Sequence, residues 1–427
     1  MKTIGFVIAA TLFGLAASTP AQTDPNRLCF LQDYLYVAAQ HNPEVQAAFH
    51  GWREAVEQIP QARTLDDPKL SYEVEGIENS RSSQEQTLFL TQMFPWFGVL
   101  EAREGEASAM ARAARKNYES ALLSLARDVK ESFYTFAFLA RSVEITRESA
   151  ELVRRFEQIA RIRYATAAAG HPDVIRAQIE VAMLEDRLTG LEQLRPAVVA
   201  KLNALLNRPA QSDLSWPTTE PPPTISPDFE SLYATLLKQN PDLKSLQHRI
   251  EAMRNRETLA ESKSKPNFEI GIGFKDMPDS SGGMGRSNSD DPLMAMISIT
   301  LPIWSDSYSA ARRGARAERL QVVHEKINLE NSLGAALRQL LYECSDADRR
   351  IRLYRDTVLP KAREMLSASE TAYQAGAVDF LSLIDAQRAL LQFQLEYEQL
   401  SADIAKTVAE LEMIVGGPLP IASSNHP

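Results

Sequence analysis

The side chains that could carry out chemistry in this sequence are few, and their spacing matches no reactive site. The histidines are dispersed and form neither an HExxH element nor another metal-ligand spacing. The six are His41, His50, His171, His248, His324 and His426. The sequence also lacks a glycine-rich phosphate loop, a G-x-S-x-G element and a Cys/His pair placed as a nucleophile. We therefore expect no enzymatic activity, no cofactor and no bound metal.

Four methionines raise a separate metal hypothesis, because thioether sulfur is a soft ligand suited to copper. Met277, Met284, Met294 and Met296 lie in or beside one polar segment. Met294 and Met296 alternate with their neighbours as residues of a β-strand do, and the other two fall in a Gly/Ser-rich loop. This arrangement favours strand and loop methionines over a copper site.

The two cysteines, Cys29 and Cys344, allow one disulfide. The alternative is a free thiol, which we favour because Cys344 falls on the core stripe of a helical pattern and buried free cysteines are common. Two cysteines are too few for a cysteine-based zinc or iron-sulfur site.

Charge and hydropathy restrict the partners. The formal charge is −10, and no basic face is visible, so nucleic acid is not expected as a partner. Residues 1–21 have the layout of a secretory signal peptide, with one Lys, an apolar run and small residues up to Ala21. No later stretch approaches the roughly 18 apolar residues of a spanning helix. If the protein crosses a bilayer, it must do so with strands.

The sequence repeats itself in order. Asn42-Pro43 lies 198 positions before Asn240-Pro241, and AGHPDVIRAQ at 169–178 corresponds to AGAVDFLSLIDAQ at 375–387. Such ordered landmarks predict two structural repeats. The predicted divisions are a first repeat at 22–206, a Pro-rich linker at 207–228, a second repeat at 229–416 and a C-terminal tail at 417–427.

Each repeat is predicted to contain a short helix, a β-hairpin and two long helices. NFEIGIGFK alternates apolar with polar or glycine residues, which is the period of a strand with one apolar face. The sequence does not settle which face of the strand EQTLFLTQMF is the apolar one. The strands are expected near 69–76, 85–94, 267–275 and 293–301. The long helices are expected near 98–168, 172–206, 305–374 and 378–415.

The long helices carry a narrow apolar stripe. Residues 305–373 would extend about 100 Å at roughly 1.5 Å per residue. The apolar positions step by 4 and 3, as in a coiled-coil seam. They are Leu333, Leu337, Leu340, Cys344, Ala347, Ile351, Tyr354 and Val358. Pro360 predicts a kink rather than an end. Such helices must pack against parallel neighbours in a bundle or tube.

Four strands cannot close a barrel, and lipid does not tolerate open edges, so closure needs several chains. Two chains would give eight strands and three would give twelve. The motifs and elements follow one another in the order NPE, DP, hairpin, FPWFG, long helix, DVIRAQ, Pro-rich seam, NPD, hairpin, LPIW, long helix and AYQAGAVDFLSLIDAQRAL. This order resembles that of the TolC family of outer-membrane efflux proteins over essentially the whole mature chain. LDDPKLSYEVEG and FPWFG are similar to the heavy-metal branch of CzcC- and CusC-like proteins.

The resemblance implies a mainly α-helical homotrimer with a shared 12-stranded membrane β-barrel and a long coiled-coil α-helical barrel. It places the protein in the outer membrane of a Gram-negative bacterium, in contact with lipid and extending into the periplasm. The implied partners are a periplasmic adaptor protein and an inner-membrane pump, of the resistance-nodulation-division type.

The resemblance also implies roles for particular residues. The turns after Tyr164 and Tyr373 would be periplasmic tips for adaptor docking, with Gly170 and Gly376 allowing tight turns and Asp379 nearby. When the repeats are aligned on their shared Ala-Gln, Asp173 falls opposite Ser382 and Arg176 opposite Asp385. The resemblance makes Asp385, Arg176, Asp173 and Arg388 candidate residues of the periplasmic gate and pore. In a trimer, Asp385 would form a charged ring that selects cations or is offset by Arg176 or Arg388. The alternative is that these are solvated helix-end charges.

Trp96 and Trp304 mark the points where a strand passes into a helix. Trp prefers the membrane interface, so we favour interfacial anchors over simple core packing.

Two functions remain open. The first is a passive exit duct through the outer membrane. The second is a soluble periplasmic coiled-coil adaptor or scaffold. A duct would expose the alternating face of FEIGIGF to lipid, whereas an adaptor would bury it. The twofold repeat favours the duct. The sequence does not distinguish a metal ion, a drug or a polypeptide as the substrate.

Overall fold

The computed structural model describes residues 28–75, 85–218, 228–276 and 293–419. The predicted signal peptide, Met277, Met284, His426 and parts of the linker and tail lie outside these residues. Within them, the first repeat contains α1 (Leu31–His41), α2 (Pro43–Arg63), β1 (Lys69–Glu75), β2 (Glu85–Phe94), α3 (Val99–Ala165) and α4 (His171–Leu205). The second contains α5 (Phe229–Gln239), α6 (Pro241–Ser262), β3 (Phe268–Asp276), β4 (Leu293–Ile299), α7 (Ser305–Leu353), α8 (Leu359–Ala375) and α9 (Phe380–Val415).

The helical pattern before Pro360 is interrupted by one wide turn. A π-helical turn, Tyr354–Val358, separates α7 from α8, and the Leu359 N–H donates to the Tyr354 carbonyl five residues earlier. Proline has no N–H to donate, and its ring clashes with the carbonyl four residues before it in a regular α-helix. Because the backbone remains helical on both sides of the turn, Pro360 interrupts this helix without ending it.

The repeated Asn-Pro pairs each divide two helices. The predicted short helix is thus α1 and α2 in the first repeat, and α5 and α6 in the second. The Asn42 side-chain amide donates to the Leu205 carbonyl at 3.0 Å, and that of Asn240 donates to the Ile414 carbonyl at 2.8 Å. Both asparagines are buried. Each therefore ties the end of its own short helix to the last turn of a long helix in the same repeat.

The four strands form one antiparallel sheet in the order β1-β2-β3-β4. The register aligns a set of apolar residues on one face, because residues paired across strands share a face. The exposed members include Leu70, Tyr72, Leu88, Leu90, Ile270, Ile272, Phe274, Leu293 and Ile297. The alternation predicted for FEIGIGF is therefore present, and its apolar face is exposed in the single chain.

The contacts on the opposite face of the sheet show which side chains of β2 lie on each face. Phe89 pairs with Gly273 in the register. A Cβ atom built on Gly273 would lie 2.5 Å from Phe89 Cε2, and one built on Gly271 would lie 2.7 Å from Phe89 Cε1. The ring thus lies flat over both glycines, which leave the space that it occupies.

The chain divides into two compact units. Among the described residues, the helical unit comprises 28–48, 118–218, 228–241 and 330–419, and the sheet unit comprises 49–75, 85–117, 242–276 and 293–329. A core cluster of the helical unit is formed by side chains of α3, α4, α8 and α9, including Phe156, Leu184, Tyr373 and Leu383. This packing positions the ends of the four helices. None of the helices within the described ranges combines the length and the apolar character of a membrane-spanning segment.

In the sheet unit, α6 and α7 run antiparallel and are joined by a row of ion pairs. The three pairs are Arg249 with Glu325 at 3.5 Å, Arg256 with Glu318 at 2.8 Å, and Glu257 with Arg319 at 2.8 Å. Two of the pairs are separated by seven residues on each helix, which is the repeat of a coiled-coil seam. An apolar cluster that includes Ile250, Met253 and Val322 packs in the same unit.

Candidate functional site

The predicted tips lie at two helix-to-helix turns of the helical unit. In the second turn, Gly376 has a φ of +79° and caps α8, and the Ala377 N–H donates to the Ala372 carbonyl at 2.8 Å. Gly376 therefore meets the conformational requirement that the sequence suggested. In the first turn, Gly170 is extended, and the left-handed position is Ala167, with a φ of +58°. Gly170 is thus not the residue whose backbone makes that turn.

Tyr373 lies inside the core beneath the second turn, so it is not an exposed docking residue in the single chain. Its ring packs edge-on against Phe380 with centroids 5.3 Å apart, and the Arg163 guanidinium lies 4.5 Å from its centroid. Burial raises the pKa of Tyr373, the Asp173 charge adds to the rise, and Arg163 opposes it. Tyr164 is exposed instead, with its ring centroid 5.2 Å from that of His171.

The predicted gate residues Asp385 and Arg388 are brought together with an acid that the sequence had not indicated. Arg388 Nη1 lies 3.8 Å from Asp385 Oδ1. Arg388 Nε also donates to Glu180 Oε2 at 3.0 Å, and its Nη2 contacts the same oxygen. The Glu180 side chain is 6% exposed, whereas that of Asp385 is 61% exposed. The hydrogen bonds from Arg388 to Glu180 raise the pKa of Arg388.

Asp173 and Arg176 form a separate pair on α4. Their closest atoms, Asp173 Oδ1 and Arg176 Nη1, are 3.7 Å apart. Asp379 caps α9 by accepting hydrogen bonds from the Ser382 N–H at 3.0 Å and the Ser382 hydroxyl at 2.6 Å. These bonds are the main reason that the pKa of Asp379 is lowered. Arg176 is therefore not the partner of Asp385 within one chain, and Asp379 has a capping role.

The predicted aromatic anchors differ in their surroundings. The Trp96 ring stacks on Phe268 with centroids 5.8 Å apart and is half-buried. Trp304 is 70% exposed, and Phe97, which the sequence had not singled out, is 82% exposed. Trp304 and Phe97 thus offer free aromatic surface at the strand-to-helix transitions, whereas Trp96 contributes to packing.

Both cysteines are free thiols, and Cys344 is buried. Burial raises the pKa of Cys344 to about 11, with the Glu343 charge contributing. The described part of the chain contains no group of three or more His, Cys, Asp or Glu side chains that could hold a metal ion.

Comparison with known proteins gives matches along most of the chain. The profile of the family described as "Outer membrane efflux protein" matches residues 34–208 and 232–417. The cobalt-zinc-cadmium resistance protein CzcC of Cupriavidus metallidurans is 24% identical over 406 residues, covering 90% of each chain. The pyoverdine export outer membrane protein OpmQ of Pseudomonas putida is 22% identical, covering 73% of this chain and 66% of that protein.

Solved structures match the fold. CusC aligns with a TM-score of 0.79 and 16% identity, covering 95% of this chain and 96% of that chain. The outer membrane protein VceC of Vibrio cholerae aligns with a TM-score of 0.77 and 18% identity, covering 91% and 96%. The arrangement of helices and strands described above is therefore shared with these proteins at low sequence identity.

Proposed function

Since this chain belongs to the outer membrane efflux protein family, we propose that it is the outer-membrane exit duct of a tripartite efflux system. The observation that carries this conclusion is the family match across both repeats. A duct conducts its substrate without transforming it, and the energy comes from the pump to which it is connected.

The exposed apolar face of the sheet supports contact with lipid. Its side chains alternate with a mixed face of Glu, Thr, Ser, Gly and Lys residues that also holds Phe89 and three methionines, Met93, Met294 and Met296. An apolar face opposite a more polar one is typical of strands that face lipid on one side and a lumen on the other. A soluble adaptor would need to cover this face, because large exposed apolar patches are unfavourable in water. We therefore favour the duct over the adaptor.

One chain leaves its sheet open, so several chains must close it, and the resemblance to the TolC family favours a homotrimer over a dimer. β1 and β4 are the edge strands of the four-stranded sheet. Joining β1 of one chain to β4 of the next closes twelve strands in a trimer and leaves no free edge in lipid. In the helical unit, α4 exposes Ile175, Ile179 and Met183, which follow one another at intervals of four residues. This stripe would pack on a neighbouring chain.

The proposed partners are a periplasmic adaptor and an inner-membrane pump of the resistance-nodulation-division type. The similarity to CzcC over 90% of both chains supports metal cations as the transported substrate. OpmQ, a weaker match, is a pyoverdine export protein. A deletion strain should lose resistance to cobalt, zinc or cadmium and keep its resistance to organic compounds. Loss of resistance to organic compounds with unchanged resistance to cobalt, zinc and cadmium would assign a different substrate to the same duct.

The duct is tested by extracting the protein from membranes and measuring its mass by light scattering, corrected for bound detergent. We expect three chain masses and a requirement for detergent. One or two chain masses without detergent would refute the duct. Two variants sharpen the test. Ile272→Lys places a charge on the apolar face and should reduce membrane assembly, with a cost of about 2–4 kcal/mol at mid-membrane depth. Ser71→Lys places it on the opposite face and should assemble.

A further inference from the structure

Arg388 is shared unequally between two carboxylates. Glu180 Oε2 accepts from Arg388 Nε at 3.0 Å and also contacts Nη2, whereas Asp385 Oδ1 is 3.8 Å from Nη1. The contact with Glu180 is therefore a pair of charge-assisted hydrogen bonds, which are stronger than neutral ones. The contact with Asp385 is a longer ion pair to an exposed carboxylate.

Burial explains why Arg388 is held on Glu180. A carboxylate that is 6% exposed is stable in its charged form only if it is paired and hydrogen-bonded. Losing Arg388 would leave that charge buried without compensation. Asp385 is 61% exposed and is solvated by water, so it gains little from the same guanidinium. The energetic preference of Arg388 is thus for Glu180, on the neighbouring helix.

We propose that Glu180 is a positioning residue that holds Arg388 away from full pairing with Asp385, so that Asp385 presents its negative charge to ions passing the tip. The inference rests on the proposed duct, with Asp385 at the tip aperture. Because one positive charge is shared by two acids, the three side chains carry a net charge of −1 in each chain. Glu180 thereby sets the cation preference of the aperture without touching the ions.

Single-channel recording in planar bilayers under a KCl gradient tests this inference, since the reversal potential reports the ratio of cation to anion permeability. Glu180→Gln removes the buried charge and frees Arg388 to pair with Asp385. We expect the cation-to-anion ratio to fall about two- to fivefold, the range that one exposed ion pair supports. Asp385→Asn should lower the ratio as well, whereas Arg388→Gln should raise it.

The double variants separate positioning from a general change of charge. In an Arg388→Gln background, Glu180→Gln should have little further effect on the ratio, because its action requires the guanidinium of Arg388. In an Asp385→Asn background it should lower the ratio further, because Arg388 is then left without either carboxylate partner. Glu185→Gln is the matched control. It removes one carboxylate from the same helix, but this one is exposed and pairs with Arg154 at 2.7 Å. It should leave the ratio unchanged.

The outcomes distinguish a failure of the proposed duct, of the position of Asp385 and of the role of Glu180. If the wild-type protein forms no conducting pore, the proposed duct fails. If pores form but Asp385→Asn leaves the ratio unchanged, Asp385 is not at the aperture and the inference falls with it. If Asp385→Asn acts but Glu180→Gln does not, or acts equally when Arg388 is absent, the positioning role is wrong. Should Glu180→Gln fail to assemble, Glu180→Asp keeps the charge but shortens the reach to Arg388, and it should lower the ratio by a smaller factor.

Discussion

Replacing Gly273 with alanine should disturb the sheet through one side chain, Phe89. The new Cβ would lie 2.5 Å from Phe89 Cε2 and 3.1 Å from the Leu88 carbonyl oxygen. Carbon atoms pack best at about 3.5–4.0 Å, so the ring must move by about 1 Å or more. The ring lies across both Gly271 and Gly273 and cannot slide along β3 without approaching one of them. It must therefore tilt away from the sheet.

The size of the effect follows from the two opposing contributions. Overpacking a filled site costs about 1–3 kcal/mol. Replacing glycine in a strand contributes roughly 0.5–1 kcal/mol in the other direction, because alanine loses less conformational freedom on folding. We expect a net loss of about 1–2 kcal/mol for Gly273→Ala. In a Phe89→Ala background the clash with the ring is absent and only the 3.1 Å contact with the Leu88 carbonyl oxygen remains, so the same change should cost much less than in the wild type.

The assay is urea unfolding of the detergent-solubilised protein, followed by Trp fluorescence for the wild type, both single variants and the double variant. Gly314→Ala is the control, because no atom lies within 4 Å of its new Cβ and α7 should gain about 0.5–1 kcal/mol. A loss for Gly273→Ala that persists undiminished without the Phe89 ring would show that the ring is not the cause. An unchanged stability in the single variant would refute the contact itself.

Three further predictions concern the helical unit. Asn240→Leu should lower the free energy of unfolding by about 1–3 kcal/mol, because the buried Ile414 carbonyl would lose its donor; the same urea assay measures it. Native Cys344 should react with maleimide much more slowly than Cys29, since burial raises its pKa to about 11. A raised thiol pKa contributes stability that is present below the ordinary value of 9.0 and is lost as pH rises toward 11, so Cys344→Ala should flatten the loss of stability over that range.

The sequence predicts the elements well where one periodicity dominates. β3 alternates large apolar residues with glycine and charged residues, so its apolar face is readable from the order alone. β2 is different, because Phe89 and Met93 lie on one face and Leu88 and Leu90 on the other. Both faces therefore look partly apolar. Only the pairing with β3 settles the facing, because two glycines there leave room for one aromatic ring.

The charged residues at the helix tips show more clearly what could not be predicted from the sequence. Asp385 and Arg388 are three residues apart on one helix, so their contact could be expected from helical spacing. Glu180 lies 208 positions before Arg388, on α4, and no local pattern distinguishes it from the other acids of that helix. Its burial results from the packing of α4 against α9. A residue whose importance comes from desolvation cannot be recognised until the packing is known.

The repeated Asn-Pro pair depends on both local sequence rules and tertiary packing. Proline suits the first turn of a helix, and asparagine suits the position before it, so a helix boundary at Asn42 and at Asn240 follows from local rules. Local rules do not explain why both asparagines are buried. The reason is tertiary, since each donates its side-chain amide to the last turn of a long helix, α4 in one repeat and α9 in the other. The same short motif therefore makes the same contact to a long helix in each repeat. This explains why two Asn-Pro pairs that lie 198 positions apart mark two copies of one structural unit.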